Sequence, residues 1–485
     1  MDKSVIEKYE LVVGLEVHAQ MLTKSKAFSS EANEYGALPN TNVSVITLAH
    51  PGTLPKANRK AVEYAVKMGL ACNCSITEYN IYDRKNYFYP DLPKGYQITQ
   101  DKTPICRGGY IDIKTKSGRR SRIRLNRIHM EEDAGKSLHL EGETETLVDL
   151  NRAGVPLIEI VTEPDIRYPE EAYAFLTEIR RLVRYLEICD GNMEEGSLRC
   201  DANISVRLKG SKELGRKVEV KNMNSITNVQ RAIEREMLRQ IEIIEKGGTI
   251  ASETRMYDAV NNQTYSLRTK EALNDYRYFP EPDLPPIIIT EEYLREVRAM
   301  MPPLPNELFI KFTSEFGLPE YDAGVLTDKK EIALYFLEIC KLTQNYKAAS
   351  NWVMGPIKSY LNELTMEIKE FPLKPSQIVE LIELVEQGKI SFAICSQRLF
   401  PAFIENPNTT ALALAEKMNL IQVSDTSFIK PIIEEVLANW AEKVEAYKKG
   451  NKNLLGLFMG EVMKKGKGKV DPKVATKLIQ EMLDA

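Results

Sequence analysis

The period of the apolar residues changes once along this chain, near residue 290, and that change fixes the fold class. Up to about residue 290, short segments alternate apolar and polar residues with a period of two, the mark of half-buried strands. From about residue 296 onward nearly every segment has the helical period. Strands gathered in one half and helices in the other predict an α+β fold. Pro280, Pro282, Pro285 and Pro286, followed by Pro302, Pro303 and Pro305, punctuate the junction, where proline ends regular structure. With 485 residues the chain exceeds what one core can serve. We divide it at 1–295, 296–409 and 410–485, the second break resting on Asn406-Pro407-Asn408.

Two helices are expected inside the strand-rich half. One begins near Pro169, a favoured first helical position. Its stripe is Ala172, Phe175, Leu176, Ile179, Leu182, Val183 and Leu186. The other runs from about Asn228 with Val229, Ile233, Met237, Ile241 and Ile244 on one side, and Gly247-Gly248 stops it. Near the end, a long helix is expected over about Ser427 to Lys449, closed by Gly450.

The alternation also sorts the chemistry. In residues 15–21, Glu16, His18 and Gln20 oppose Leu15, Val17, Ala19 and Met21. In 199–208, Asp201, Asn203, Ser205 and Arg207 oppose Ala202, Ile204, Val206 and Leu208. Lys217, Glu219 and Lys221 oppose Val218 and Val220. Glu159 and Glu163 share a face of an otherwise apolar strand, and Arg127, His129 and Glu131 alternate with Ile128 and Met130 before Glu132 and Asp133. A solvent-facing strand carries polar residues as a matter of course. These faces differ in being rich in carboxylates, which are poor strand formers. They also hold two of only four histidines, His18 and His129. Acids and histidines brought together on one surface repel unless cations neutralise them. Oxygen donors of this kind favour Mg²⁺, and Mg²⁺ with phosphate oxygens is the usual way to hold ATP for phosphoryl transfer.

Several classes are disfavoured. Gly135-Lys136-Ser137 imitates the end of a phosphate-binding loop, but position 130, where that motif needs glycine, is Met130. A net charge of −4 and pI of about 5.9 confine any nucleic-acid footprint to a local patch. No apolar run is long enough for a membrane span, and no signal-peptide stretch follows Met1. The seven cysteines include Cys72-x-Cys74 but no C-x-x-C pair. Free thiols in a reducing cytoplasm are expected, and no zinc. Residues 83–91 place charges beside aromatics, Asp83, Arg84 and Lys85 before Tyr87, Phe88 and Tyr89. Such a run suits a strand entering a turn, or a loop that binds a nucleotide or an RNA end.

Taken together, residues 14–18 (GLEVH), 83–90 (DRKNYFYP), 129–136 (HMEEDAGK), 156–161 (PLIEIV), 193–203 (MEEGSLRCDAN) and 275–283 (DYRYFPEPD) resemble the B subunit of the bacterial tRNA-dependent amidotransferases, the GatB family. The resemblance runs the length of the chain. It implies a cradle domain built around a largely antiparallel sheet, then an all-α helical domain and a small helical tail that engages tRNA. It implies ATP- and Mg²⁺-dependent conversion of misacylated Glu-tRNA(Gln) or Asp-tRNA(Asn) to the amide. A partner amidase subunit would supply ammonia through a tunnel, and a small third subunit would complete a heterotrimer. The implied metal and ATP residues are Glu16, His18, the Glu131/Glu132 pair, Glu159, Asp201 and Glu219, with Asn203 and Lys221 beside them for the nucleotide. Lys85 resembles a tunnel-lining residue. Alternation places Glu131 beside His129, the family pattern points to Glu132, and a bulge would reconcile the two. Some family members carry a cysteine-based zinc site, which this chain lacks the paired cysteines to build. For the tail, Lys448, Lys449, Lys464, Lys465, Lys467 and Lys469 are the expected phosphate contacts. Two other classes compete: a stand-alone ATP-dependent ligase that amidates a small free acid, and a non-catalytic tRNA-binding scaffold.

Overall fold

In the computed structural model, which describes residues 2–140, 142, 144–269, 276–422, 426–466 and 470–484, the chain forms two compact units, Met1–Pro305 and Asn306–Ala485. Asp275, Lys467 and Lys469 lie outside the described residues.

The first unit is organised on a ten-stranded sheet. Its strands are β1 (Tyr9–Gln20), β2 (Ser75–Ile76), β3 (Cys106–Arg107), β4 (Tyr110–Lys114), β5 (Arg120–Glu132), β6 (Pro156–Thr162), β7 (Leu198–Leu208), β8 (Val218–Lys221), β9 (Glu253–Asp258) and β10 (Gln263–Thr269). Their order across the sheet is β10-β9-β8-β7-β1-β6-β5-β3-β2, with β4 also on β5. Every pairing is antiparallel except β8 with β9. The sheet is largely antiparallel, as the resemblance implies.

One face of this sheet is dry. Leu11, Val13, Leu15, Val17 and Ala19 of β1 are buried, as are Ala202, Ile204 and Val206 of β7 and Val218 and Val220 of β8. Helices α1 (Arg59–Ala71), α2 (Pro169–Tyr185) and α3 (Ile226–Glu245) cover that face. The expected stripe of α2 is buried residue for residue. Glu171 fastens its start by accepting from the backbone N–H groups of Arg167 (2.8 Å) and Tyr168 (3.1 Å). Helix α3 starts two residues before the expected Asn228, because Ser225 Oγ accepts from the Asn228 N–H at 3.1 Å and so caps it. Gly247, with a φ of +77°, ends the turn beyond it. Period alone did not show the polar patch within α3. Glu236 and Gln240 are fully buried, and Glu236 accepts from Arg239, Gln240 and Thr264.

The named elements of the second unit are all helices. The long helix expected over Ser427 to Lys449 is two helices, Thr426–Asn439 and Ala441–Lys448. Trp440 breaks it, leaving helical space at φ −120° and ψ 36°. Ile429, Ile433 and Val436 from the first piece and Tyr447 from the second enter one core with Phe458, Val462, Ile479 and Leu483. Burying both pieces against the same core needs the bend. No helix among the described residues is long and apolar enough to cross a membrane. All seven cysteines are free.

Candidate active site on the polar face of the sheet

The opposite face of the same sheet gathers the acids. Strand β1 is central, and its register aligns each polar residue with another: Glu16 with Asp201 on β7, and His18 with Glu159 on β6 and Arg199 on β7. Glu159 is aligned in turn with His129 on β5, and Asn203 with Glu219 on β8. Side chains opposite one another in an antiparallel pair share a face. The sequence therefore delivers two trios whose donor atoms all lie within 4.8 Å of one another: His18, Glu131 and Glu159, and Glu16, Asp201 and Glu219.

The first trio surrounds imidazoles. His18 Nε2 stands 3.5 Å from Glu159 Oε2 and 3.6 Å from Glu131 Oε1. His129 Nε2 stands 3.2 Å from Glu159 Oε2 and 3.7 Å from Glu131 Oε2. Burial works against a charged His129, but Glu131 and Glu159 prevail and raise its pKa to about 9. The same contest, with Glu159 and Glu131 winning, leaves His18 above its ordinary value. Burial opposes ionisation of Glu159 too, yet His129 and His18 hold its carboxyl well below the usual range.

The second trio is held by donors. Asn203 Nδ2 donates to Glu16 Oε1 at 2.8 Å, and Thr254 Oγ1 donates to Glu219 Oε2 at 2.9 Å. Lys221 pairs with Asp201 and lies 3.0 Å from Glu219 Oε1. Burial raises the pKa of Glu16, and the neighbouring charges of Glu159, Glu219 and Asp201 raise it further against the Asn203 hydrogen bond. Glu16 therefore feels both trios, which form one acidic field. Carboxylate oxygens and imidazole nitrogens crowded this closely suit a divalent cation. Lys221 offsets the charge of Asp201 and Glu219 directly.

Adjacent residues of β5 face opposite ways, and that separates Glu131 from Glu132. The β5–β6 pairing runs without interruption from Glu132–Pro156 to Arg127–Val161, so no bulge intervenes at this point. Glu131 enters the first trio. Glu132 joins neither trio: it pairs with Lys94 and accepts from the Ile98 N–H at 2.9 Å. The register shift falls instead between Val161 and Thr162. The skipped residue is Asn126 on β5, so β6 keeps its own alternation; Glu163, one residue past the end of β6, accepts from Asn126 at 2.9 Å.

Beside the trios, Asp133 accepts from Gln20 Nε2 and from Arg199, each at 2.8 Å. Burial opposes the charge of Asp133, and Arg199 and Arg152 hold its pKa low. Lys85 lies on a short strand, Asp83–Asn86, paired with Tyr96–Thr99. Burial alone would lower its pKa, but the charge of Glu131 leads the contributions that keep it raised.

Comparison with known proteins decides the family. The family described as the GatB/GatE catalytic domain matches residues 11–295, and the family described as the GatB domain matches 334–483. The chain belongs to the GatB family. It is 49% identical over 480 residues to the B subunit of the aspartyl/glutamyl-tRNA(Asn/Gln) amidotransferase of Caldicellulosiruptor bescii, covering 98% of this chain and 99% of that protein. It is 50% identical over 477 residues to the protein of the same name from Chlorobium limicola, covering 98% and 100%. The protein of that name from Thermodesulfovibrio yellowstonii is 48% identical over 476 residues, covering 98% and 99%. Both trios fall inside the segment matched as this GatB-family catalytic domain.

Of the residues singled out by sequence, Glu16, His18, Glu131, Glu159, Asp201 and Glu219 come together, with Asn203 and Lys221 among their partners. Lys85 is nearby on another strand. Two partners went unassigned. Arg199 shares its alternation with Asp201, so period two could have placed it on this face. Thr254 sits on β9, and only the long-range β8–β9 pairing brings it to Glu219. In the tail, Lys448, Lys449, Lys464 and Lys465 are exposed. Lys449 stands 3.6 Å from Glu445, and Lys465 pairs with Glu435.

Proposed function

We propose that this chain activates the side-chain carboxylate of a glutamyl or aspartyl group misacylated on tRNA, at the expense of ATP, and then amidates it. The observation that supports this most directly is the convergence of six potential ligands from five strands, β1, β5, β6, β7 and β8, on one face. Glu16, His18, Glu131, Glu159, Asp201 and Glu219 would hold Mg²⁺. When bound, the metal offsets charge on the phosphates of ATP.

The chain's own residues account for the rest. A carboxylate is a poor electrophile. Its oxygen attacks the γ-phosphorus of ATP, the bond to ADP breaks, and an acyl phosphate with a good leaving group results. Ammonia then attacks the acyl carbon, phosphate departs, and the nitrogen loses a proton. Lys221 and Arg199 are the fixed cations facing this chemistry from β8 and β7, and they oppose the charge that accumulates on the transferring group. Ammonia must arrive unprotonated. Lys85, half-buried and acted on by the charge of Glu131, would line its path.

The names of the relatives speak of a B subunit, one chain among several. We assign to this chain an amidase partner that releases ammonia, a small third subunit, and a heterotrimer in the cytoplasm. We retain the division into a catalytic cradle at 1–295, a helical domain at 296–409 and a tail at 410–485. The separate core of Ile429–Leu483 supports the last of these. Lys448, Lys449, Lys464 and Lys465, with Lys467 and Lys469 of the same run, would contact tRNA phosphates.

The test is ATP-dependent amidation by the complex assembled with its partner subunits, given glutamyl-tRNA(Gln), aspartyl-tRNA(Asn) or free glutamate. We expect amide and ADP in equal amounts with one or both charged tRNAs and neither with the free acid. Amide formed from free glutamate would select the stand-alone ligase. Charged tRNA bound without any ADP released would select the scaffold.

A further inference from the structure

Beside the acidic face lies a group of aromatic side chains in which Tyr87 and Tyr276 are half-buried and their neighbours Tyr89 and Tyr278 are exposed. Tyr87 meets Tyr89 and Tyr276 edge to face, with ring centroids 5.9 and 6.2 Å apart, and Tyr276 meets Tyr278 at 6.0 Å. Phe88, Tyr89 and Tyr278 are 77%, 56% and 38% exposed. Exposed aromatic clusters of this kind mark binding sites rather than resting surface. Two distant stretches of chain are fastened together to make it. The Asn86 N–H donates to the Tyr276 carbonyl at 3.0 Å, and Asn86 Nδ2 donates to the Arg277 carbonyl at 2.8 Å. Arg84 aligns with Phe279 and forks onto Glu281 at 2.7 and 2.8 Å. Arg277 takes a φ of +46°, a costly geometry for a residue with a side chain, at the turn between Tyr276 and Tyr278.

Lys85 joins this group to the acids. Its Nζ lies 4.8 Å from the centre of the Tyr276 ring and 5.8 Å from that of Tyr87. Lys85 is paired with Gln97, whose Nε2 donates to the Glu132 carbonyl at 2.7 Å. Two residues on, Thr99 Oγ1 stands 3.5 Å from Glu131 Oε2 in the first trio. The aromatic rings thus begin one strand away from the cluster where, on the reading above, the substrate carboxylate reacts.

We infer that Tyr87, Tyr89, Tyr276 and Tyr278 form the stacking seat for the terminal adenine of the charged tRNA. The inference rests on the proposed reaction. An aminoacyl group is esterified to the ribose of the terminal nucleotide. With its carboxylate at the trio, the base must lie within roughly two or three extended residues' length, about 7–10 Å. Aromatic faces beside a cation suit a splayed single-stranded base. Stacking reads no base edge, which fits a 3′ end that every tRNA shares.

The experiment compares binding of tRNA with and without its 3′-terminal adenosine to the assembled complex, by fluorescence anisotropy, for the wild type, Tyr276→Ala, Tyr89→Ala and Tyr276→Trp. We expect the wild type to prefer the intact tRNA by about tenfold and the alanine variants to lose most of that preference. Tyr276→Trp, which keeps a π face, should recover it. In parallel, the KM for charged tRNA should rise in the alanine variants and the KM for ATP should not. Unchanged preference in both alanine variants overturns the inference. A rise in the KM for ATP alone would seat the adenine of ATP there instead, and dissociation of the complex would make the patch an interface with a partner subunit. Either result overturns it too. A wild-type complex without ATP-dependent amidation would refute the reaction proposed above, while the binding comparison still decides the seat.

Discussion

The acidic face of the sheet and the lysine-rich tail both concentrate charge, and they do so by opposite means. In the sheet, each carboxylate is set by strand register against named partners and is largely withdrawn from water: Glu131 is 6% exposed. In the tail, Lys448, Lys449 and Lys464 stand in solvent, and the pairing of Lys449 with Glu445 is an exposed i,i+4 contact of small value. Buried charge held in one geometry concentrates function in single residues. Exposed charge spreads it over many, each replaceable, and leaves it open to salt.

The largest effect should come from the face itself. Glu131→Gln is expected to lower ATP-dependent amidation by about a hundredfold or more, with glutamine hydrolysis by the partner unaffected. Normal amidation by this variant would remove the first trio from the reaction. Its neighbour sharpens the contrast. Glu132→Ala removes the carboxylate paired with the part-buried Lys94 and should cost about 3 kcal/mol of stability in a denaturant titration. It should retain metal binding. A variant as stable as the wild type but unable to bind metal would reverse the roles of the two glutamates.

Smaller and graded effects are expected from the tail. Lys448→Glu with Lys464→Glu should raise the KM for charged tRNA several-fold. The two changes should also flatten the dependence of log affinity on log salt by about 0.7–0.9 for each phosphate no longer neutralised. An equal rise in the KM for ATP would contradict a tRNA role. The smallest effect tests a carboxylate held by hydroxyls. Burial opposes the charge of Glu31, but hydroxyls, among them Thr47 Oγ1 at 2.5 Å, lower its pKa to about 2. A depressed pKa contributes stability above the unfolded value near 4.5, and that stability is lost as pH falls toward 2. Thr47→Val should therefore reduce the difference in unfolding free energy between about pH 5 and pH 2.5. An unchanged difference would mean that Thr47 does not hold the charge.

Much of the sheet was legible because period two is local. The residues facing up from β1, β7 and β8 follow from alternation alone; the same alternation favoured Glu131, but the family pattern favoured Glu132, and the sequence left that pair open. Which strands are neighbours was not legible. The contact of Thr254 with Glu219 depends on a parallel pairing that no local signal announces. The split at Trp440 escaped for a related reason: the helical period continues through it, and only the shared core of Ile429, Tyr447 and Phe458 requires the bend. Glu163 enters neither trio because it lies just beyond the end of β6 at Thr162, where it accepts from Asn126.

The most direct test of the metal-holding face is a titration of the assembled complex with Mn²⁺, followed by electron paramagnetic resonance, for the wild type and Glu159→Gln. The wild type should bind Mn²⁺ saturably and release it to excess Mg²⁺, and the variant should lose that binding. Equal Mn²⁺ binding by both proteins would contradict the assignment of the trio built on His18, Glu131 and Glu159.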